Sequence, residues 1–480
     1  MLKRGLVAVL VLAALGLGKR QPVQAAPPVS DQALQAYVAH LSLQRQLGQL
    51  FIAYAPANAK AAKQAVAKYH LGGLVLFGVD FAHGNAATKR RIASYQHAST
   101  VPLLIATDQE GGSVSRLSGS PNYANRPWLS PQEAYYRGGM PGVLREAAQM
   151  QAALQRVGVN WNFAPLADVA PDPKSYIYTR TMGLGYQGTA AYIRQVVPVM
   201  QTGKVAATLK HFPGYGDDGN THTGFAADDR PLTQLTQADL LPFEAGIKQH
   251  VAAIMVTHIM LPALDAAYPA SLSHKVVTGL LRQKLHYSGI IITDGLEMAA
   301  ITDFAKAHHL NADVAAVQAG NDCLLNDDYA TGIPALAKAV QIGKLSRQQV
   351  AASVLRVLKL KRQLGLLDSK QFPPAQVRVT KHQEARRSVV VSGQVYAAKA
   401  RRVQAVVAGK TVASAPLKAD GRYRLRVAKT TAVQHVRLQA SGAAVAKLKV
   451  AAKPAWWPYV AGALGSVAVL LAAVWWRLRR

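Results

Sequence analysis

The segment 210–224, KHFPGYGDDGNTHTG, concentrates side chains that can carry charge or move a proton. It contains Lys210, His211, His222 and two aspartates, and it follows the apolar run KVAATL. The glycines and prolines between these residues favour turns over a continued strand. Titratable groups on a loop that follows a buried strand are typical of a binding or catalytic site.

A second candidate is Asp294, which ends an apolar run in the segment IITDGLEM (291–298). A carboxylate nucleophile with a nearby proton donor, such as His222, is what cleavage of a glycosidic bond requires. The residues alone leave two plainer interpretations open. Asp294 is then an Asp-Gly turn former, and His222 is a solvated histidine on a loop.

Eight apolar runs recur between residues 31 and 370, with helical patterns between them. The runs lie near 49–54, 72–78, 101–108, 159–169, 204–212, 252–258, 289–295 and 320–326. Nearly continuous apolar strands separated by helices predict a parallel sheet. Eight of them predict an α/β fold of the (β/α)8, TIM-type barrel class over residues 31–370. The alternative is an open doubly wound sheet, but no glycine-rich dinucleotide fingerprint follows the first run.

Polar residues sit where these runs end, and a barrel gathers the carboxyl ends of its strands at one rim. Any one of the residues could be a capping or turn residue, but six together favour a site. They are Asp108, Asp168, Lys210, His211, His258 and Asp294.

Five motifs appear in the order found in a known family. They are ATDQEGGSVSRL (106–117), NFAPLADV (162–169), RTMG (180–183), KHFPGYGDDGNTHTG (210–224) and IITDGLEM (291–298). In this order the chain resembles glycoside hydrolase family 3, on its β-N-acetylglucosaminidase branch. The resemblance extends from LSLQRQLGQLF (41–51) to LKRQLGLLD (360–368).

This resemblance implies a retaining mechanism without metal or cofactor, and the sequence has no CxxC or HExxH motif. Asp294 matches the nucleophile and His222 matches a histidine acid/base on a mobile loop. The residues that match those holding the sugar at the −1 subsite are Asp108, Arg116, Arg180, Lys210 and His211.

The chain departs from the family pattern at Asn220, where an aspartate usually stands two residues before the histidine. An amide can accept a hydrogen bond from His222 but brings no charge, so it favours protonation less. We therefore expect a lower pKa for His222 and an acid-shifted rate optimum. Asp217 or Asp218 is an alternative partner for the histidine.

The rest of the chain differs in character. A helical segment at 345–368 closes the barrel domain, and 377–452 shows short alternating strands typical of a small all-β, sandwich-like domain. Its only acidic residues are Glu384 and Asp420. Two interpretations stand: a basic spacer, or a module that binds anionic cell-wall polymers.

The two ends predict export and anchoring. Residues 1–26 have the pattern of a secretory signal peptide, and 456–476 are long and apolar enough for a transmembrane helix followed by a short basic cytoplasmic tail. The catalytic domain is then extracellular and membrane-anchored. A net charge of +30 favours polyanionic partners, but no nucleic-acid motif is present. The single cysteine, Cys323, excludes an intramolecular disulfide and is predicted to be a core residue.

The leading hypothesis is a retaining exo-β-N-acetylglucosaminidase with a carbohydrate substrate, which removes terminal GlcNAc from cell-wall-derived or other amino-sugar chains. One alternative is a β-glucosidase-like hydrolase of the same family. Another is a weakly active barrel that binds the cell wall. Asn220, in place of the usual aspartate, favours this alternative, and the presence of Asp294 opposes it.

Overall fold

The computed structural model describes residues 29–452 except 119–122, 218, 225, 369–376, 386, 396–399, 419–420 and 441–445. The predicted signal peptide (1–26) and the predicted transmembrane helix (456–476) lie outside the described residues. Among the helices that are described, none has the length and apolar composition needed to cross a bilayer.

Ten strands lie in the described residues before 369. They are β1 (Phe51–Tyr54), β2 (Gly73–Val75), β3 (Leu104–Thr107), β4 (Gln109–Gly111), β5 (Val114–Ser115), β6 (Trp161–Asn162), β7 (Ala206–Phe212), β8 (Ala253–Val256), β9 (Ile290–Gly295) and β10 (Cys323–Leu325). Strands β4 and β5 form a hairpin, and the other eight close into a parallel barrel in chain order. The predicted barrel is therefore confirmed.

Helices cover the outside of the barrel. The α-helices are α1 (Asp31–His40), α2 (Leu43–Gly48), α3 (Ala59–Tyr69), α4 (Gly78–Phe81), α5 (Gly84–Ala98), α6 (Pro131–Val157), α7 (Gly185–Gln201), α8 (Leu232–Gln234), α9 (Leu240–Lys248), α10 (Ala299–Ala307), α11 (Ala312–Ala319), α12 (Tyr329–Gln341) and α13 (Arg347–Gln363). Short 3-10 helices span Tyr178–Arg180 and Ala270–Leu272, and π-helical segments span Leu235–Asp239 and Lys275–Lys284.

Local sequence sets the helix ends, as α6 shows. Ser130 and Glu133 form a capping box, and Pro131 occupies the first turn, where its missing N–H costs nothing. Gly158 ends the helix with φ +94°, a conformation that favours glycine. The capped helix packs on α7 and contacts β4.

The barrel interior is filled by side chains and is closed at the amino end by α13. Ile52, Leu104 and Trp161 are fully buried there, and Leu360 of α13 packs against the same cluster. Cys323 lies in this interior, and burial raises its pKa well above the ordinary value. It behaves as the core residue that the sequence predicted.

Residues 377–452 form two antiparallel sheets on a common core. The strands are β11 (Val377–Glu384), β12 (Ser388–Val395), β13 (Arg402–Val407), β14 (Lys410–Pro416), β15 (Arg422–Ala428), β16 (Gln434–Gln439) and β17 (Ala446–Val450). One sheet has the order β11-β12-β15 and the other β14-β13-β16-β17. In β15, Arg424 is exposed while Leu425 is buried, as period-two alternation requires. The prediction of an all-β region is confirmed.

Candidate active site

A cavity of about 340 Å³ opens at the carboxyl end of the barrel. The strands bring seven of the eight predicted site residues to its wall, and the eighth, Asn220, contacts His222. The seven are Asp108, Arg116, Arg180, Lys210, His211, His222 and Asp294.

One side of the cavity is a cluster of opposite charges centred on Lys210. Its Nζ lies 2.7 Å from Asp108 Oδ1 and 2.6 Å from Glu110 Oε1, and its side chain is only 2% exposed. Burial alone would lower the pKa of Lys210, but the two carboxylates raise it above the ordinary value. Lys210 is therefore charged at neutral pH, although it is buried.

Arg116 lies at the edge of this cluster, 3.5 Å from Asp108 Oδ2, with its guanidinium 5.1 Å from the ring centre of Phe77. Its Nε is buried and has no hydrogen-bond partner in the described part of the chain. A buried donor without a partner is costly, so a sugar oxygen or a water molecule would satisfy this group.

Glu110 is a member of the cluster that the sequence analysis missed. It accepts two hydrogen bonds from Arg180, of 2.9 and 2.8 Å, and its side chain is 2% exposed. Burial alone would raise its pKa, but Lys210 and Arg180 bring the pKa below the ordinary value. The available signal was its position two residues after Asp108, on the same face of an extended segment.

Asp294 ends β9 with its side chain 14% exposed to the cavity. Its Oδ1 accepts a hydrogen bond of 2.8 Å from the backbone N–H of Gly295, and its Oδ2 lies 3.8 Å from His211 Nε2. Burial acts to raise the pKa of Asp294, but His211, His258 and the Gly295 hydrogen bond lower it overall. The carboxylate is therefore ionised, as a nucleophile must be.

His211 is oriented by Asp168, which is fully buried. Asp168 Oδ2 lies 2.7 Å from His211 Nδ1, and the carboxylate also accepts hydrogen bonds from the backbone N–H groups of His211 and Tyr215. A carboxylate at Nδ1 fixes the tautomer and leaves Nε2 directed at Asp294. The family resemblance assigned His211 to the sugar, and the structure also places it beside Asp294.

His258 contacts the backbone of the residue after Asp294. Its Nε2 lies 2.8 Å from the carbonyl oxygen of Gly295 and its Nδ1 lies 2.7 Å from Ser271 Oγ. Burial is the main cause that lowers the pKa of His258, against the attraction of Asp294. A neutral imidazole that donates from Nε2 and accepts at Nδ1 satisfies both contacts.

His222 is an exposed residue at the mouth of the cavity. Its Nδ1 lies 2.8 Å from Asn220 Oδ1, which also accepts a 3.0 Å hydrogen bond from the His222 backbone N–H. The amide oxygen therefore favours a proton on Nδ1 and leaves Nε2 to exchange a proton with substrate. Tyr215 anchors the loop, because its hydroxyl accepts a hydrogen bond of 2.9 Å from the Thr221 N–H.

The pKa of His222 is lowered, in the direction expected from the sequence. The largest cause is desolvation by the cavity walls, and Asp294 opposes it. From the sequence, the expected cause of the lowered pKa was the missing charge at Asn220. Of the alternative partners, Asp217 accepts a 3.0 Å hydrogen bond from the backbone of Asp172, and Asp218 lies outside the described residues.

Comparison with known proteins agrees with this geometry. Residues 42–360 match the N-terminal domain of glycosyl hydrolase family 3. The chain belongs to glycosyl hydrolase family 3.

Its relatives in family 3 include two named hexosaminidases. β-Hexosaminidase A of Pseudoalteromonas piscicida is 30% identical over 329 residues, which are 63% of this chain but only 55% of that protein. The β-hexosaminidase of Xanthomonas campestris pv. campestris (strain B100) is 34% identical over 235 residues, 48% of this chain and 70% of the relative. A family 3 β-N-acetylglucosaminidase structure from Paenibacillus sp. str. FPU-7 superposes with a TM-score of 0.63 and 28% identity, covering 72% of this chain and 71% of that one.

The family 3 barrel of this chain has one more carboxyl group in its cavity, at Glu297. The Tyr54 hydroxyl donates a hydrogen bond to its Oε1, and burial raises the pKa of Glu297. A Cβ at Gly295 would lie 2.5 Å from Glu297 Oε1, so the Glu297 carboxyl group packs directly over the backbone that follows Asp294. Sequence reasoning missed Glu297, although it stands in the motif that contains Asp294.

Within the described ranges, no group of three or more His, Cys, Asp or Glu side chains is arranged to hold a metal ion.

Proposed function

We propose that this protein is a retaining exo-β-N-acetylglucosaminidase that removes terminal GlcNAc from cell-wall-derived or other amino-sugar chains. The observation that carries the proposal is that Asp294, with a lowered pKa, and His222, whose Nδ1 contacts Asn220, line one cavity. Named hexosaminidases among the relatives support the choice of sugar.

In the proposed reaction, an Asp294 oxygen attacks the anomeric carbon while protonated His222 gives its proton to the glycosidic oxygen. The bond to the aglycone breaks and a covalent glycosyl-enzyme forms. Neutral His222 then takes a proton from water, whose oxygen attacks the same carbon and releases Asp294. Two displacements at one carbon return the β configuration.

The charged cluster supplies the binding step. Lys210 and Arg116 can donate to sugar hydroxyls, and the Asp108 carboxylate can accept from them. Hydrogen bonds to ionised groups are stronger than neutral ones, which suits a ligand rich in hydroxyls. A cavity of about 340 Å³ is at the small end of ligand sites, so it favours one terminal ring over an internal segment of a chain.

Trapping of the intermediate tests the mechanism. Incubation with a 5-fluoro GlcNAc fluoride followed by peptide mass spectrometry should place the adduct on Asp294, and Asp294→Asn should abolish turnover of an aryl GlcNAc. Release of α-GlcNAc from a β-linked substrate, followed by NMR, would refute a retaining mechanism. An aryl glucoside hydrolysed faster than the aryl GlcNAc would favour a β-glucosidase.

We also propose, from the sequence of the two ends alone, that the enzyme is exported and anchored with its barrel outside the cell. Added protease should then remove the barrel from intact cells, and protection until the cells are lysed would refute this location.

A further inference from the structure

The outer face of the sheet β14-β13-β16-β17 carries a cleft of about 530 Å³, here called the basic cleft. Its charged or titratable lining residues are His435, Arg437, Lys447 and Lys449. His435 and Arg437 alternate along β16 with buried Val436, so they point away from the core. All residues that line the cleft belong to the two-sheet region 377–452, here called the β-domain.

The register of β16 and β17 places basic groups directly opposite each other. Arg437 pairs with Lys447, and His435 pairs with Lys449. Cations that face each other across antiparallel strands destabilise the sheet. A sequence under selection for stability alone would alternate the signs, so this pairing indicates that the positive charge itself is used.

The described part of the β-domain does not neutralise this charge. Its one carboxylate is Glu384, at the end of β11 in the other sheet, and Glu384 pairs with Lys429 at 2.8 Å. Arg437, Lys447 and Lys449 form no ion pair with any described residue. Anionic groups from another molecule are therefore the complement that the basic cleft lacks.

We propose that the basic cleft binds a linear polymer of phosphodiesters that carries no bases, such as a polyol phosphate. Side chains two residues apart on a strand are about 6.8 Å apart and facing strands about 4.8 Å, so Lys447 and Lys449 on one strand and Arg437 on the next can meet successive anionic groups. Binding at several points makes a polymer a better ligand than a free phosphate.

Two other polyanions fit the cleft less well. Proteins that bind single-stranded nucleic acid stack bases on aromatic rings, and the lining of the basic cleft includes no phenylalanine, tyrosine or tryptophan. A lipid surface is flat, whereas these cations surround a concave space. The proposal does not depend on the glycosidase reaction, because no residue of the barrel contributes to the cleft.

The test measures binding of the full chain, purified in detergent micelles, to poly(glycerol phosphate) over a range of NaCl concentrations. The variant R437Q/K447Q/K449Q should bind about a hundredfold more weakly at 100 mM NaCl, and the slope of log K against log[NaCl] should become shallower by about 2. The matched control R378Q/R424Q/R426Q removes three exposed charges from the opposite sheet, and its affinity should stay within about twofold of wild type.

Equal losses in both triple variants would overturn the proposal, because net charge alone would then explain binding. Absence of wild-type binding would also overturn it. Tighter binding to oligo(dT) or to phosphatidylglycerol micelles than to poly(glycerol phosphate) would assign the cleft to nucleic acid or lipid instead. The single variant K447Q removes the cation that faces Arg437, so the melting temperature should stay the same or rise. Its binding to poly(glycerol phosphate) should weaken. Unchanged binding would contradict the proposal.

Discussion

Asn220→Asp tests how the pKa of His222, the proposed acid/base, is tuned. The substitution places a carboxylate where an amide oxygen now lies 2.8 Å from His222 Nδ1. A unit charge at about 4 Å in water-like surroundings stabilises the imidazolium by about 1 kcal/mol, and His222 is exposed to solvent. Since 1.36 kcal/mol corresponds to one pH unit, the alkaline limb of the kcat/KM profile should move up by about 0.7 pH unit. Above that limb the rate should rise about fivefold.

The assay is hydrolysis of an aryl GlcNAc from pH 4 to 9, because the limb of kcat/KM reports the acid in the free enzyme. Asp217→Asn is the matched control, since Asp217 bonds to the Asp172 backbone rather than to His222. An alkaline limb unmoved by Asn220→Asp would refute the reasoning. A larger movement in Asp217→Asn would show that Asp217 is the partner of the histidine.

Two further predictions concern buried charges. Glu110→Gln removes a carboxylate from Arg180 and Lys210, so the free energy of unfolding should fall by about 3 kcal/mol. As a control, Asp31→Asn at a half-exposed ion pair should lower it by less than about 1 kcal/mol. Equal losses of unfolding free energy in calorimetry would contradict this prediction. Lys361 is fully buried with Gln49 Oε1 at 2.8 Å, and burial lowers its pKa from 10.5 to about 7. The unfolded chain therefore binds more protons between those pH values, and the contribution of Lys361 to stability rises with pH across that window. Lys361→Met should remove this rise, measured as melting temperature at pH 7 and 9.5, and an identical pH slope in both proteins would disprove the account.

The barrel was predictable because its strands are buried on both faces and therefore appear as apolar runs. β7 shows this best, since Ala206–Phe212 is buried throughout and carries Lys210 and His211 to the rim. The strand predicted from the fourth apolar run, near 159–169, was less exact. Only Trp161–Asn162 form a strand, an isolated parallel bridge joins Leu166 to Lys210, and Asp168 follows it, in contact with His211. An apolar run shows burial, but it does not show where strand pairing ends.

The roles within the site were less predictable than its location. Glu110 and Asp108 stand two residues apart in one motif, yet one is enclosed by Arg180 and Lys210 and the other faces the cavity. The sequence predicts a fall in the pKa of His222 for want of a neighbouring charge, and the structure gives desolvation by burial as the largest cause. Both outcomes depend on segments that are distant in the chain.

By itself, the sequence determined the parallel barrel, the β-domain and the group of polar residues at one rim, because hydrophobic periodicity and strand polarity are local properties of a chain. Only the tertiary structure decided which carboxylate orients His211, which two neutralise Lys210, and which basic residues of the β-domain face one another. Those pairings are set by distance and desolvation between separate elements, and neither quantity can be obtained from the order of the residues.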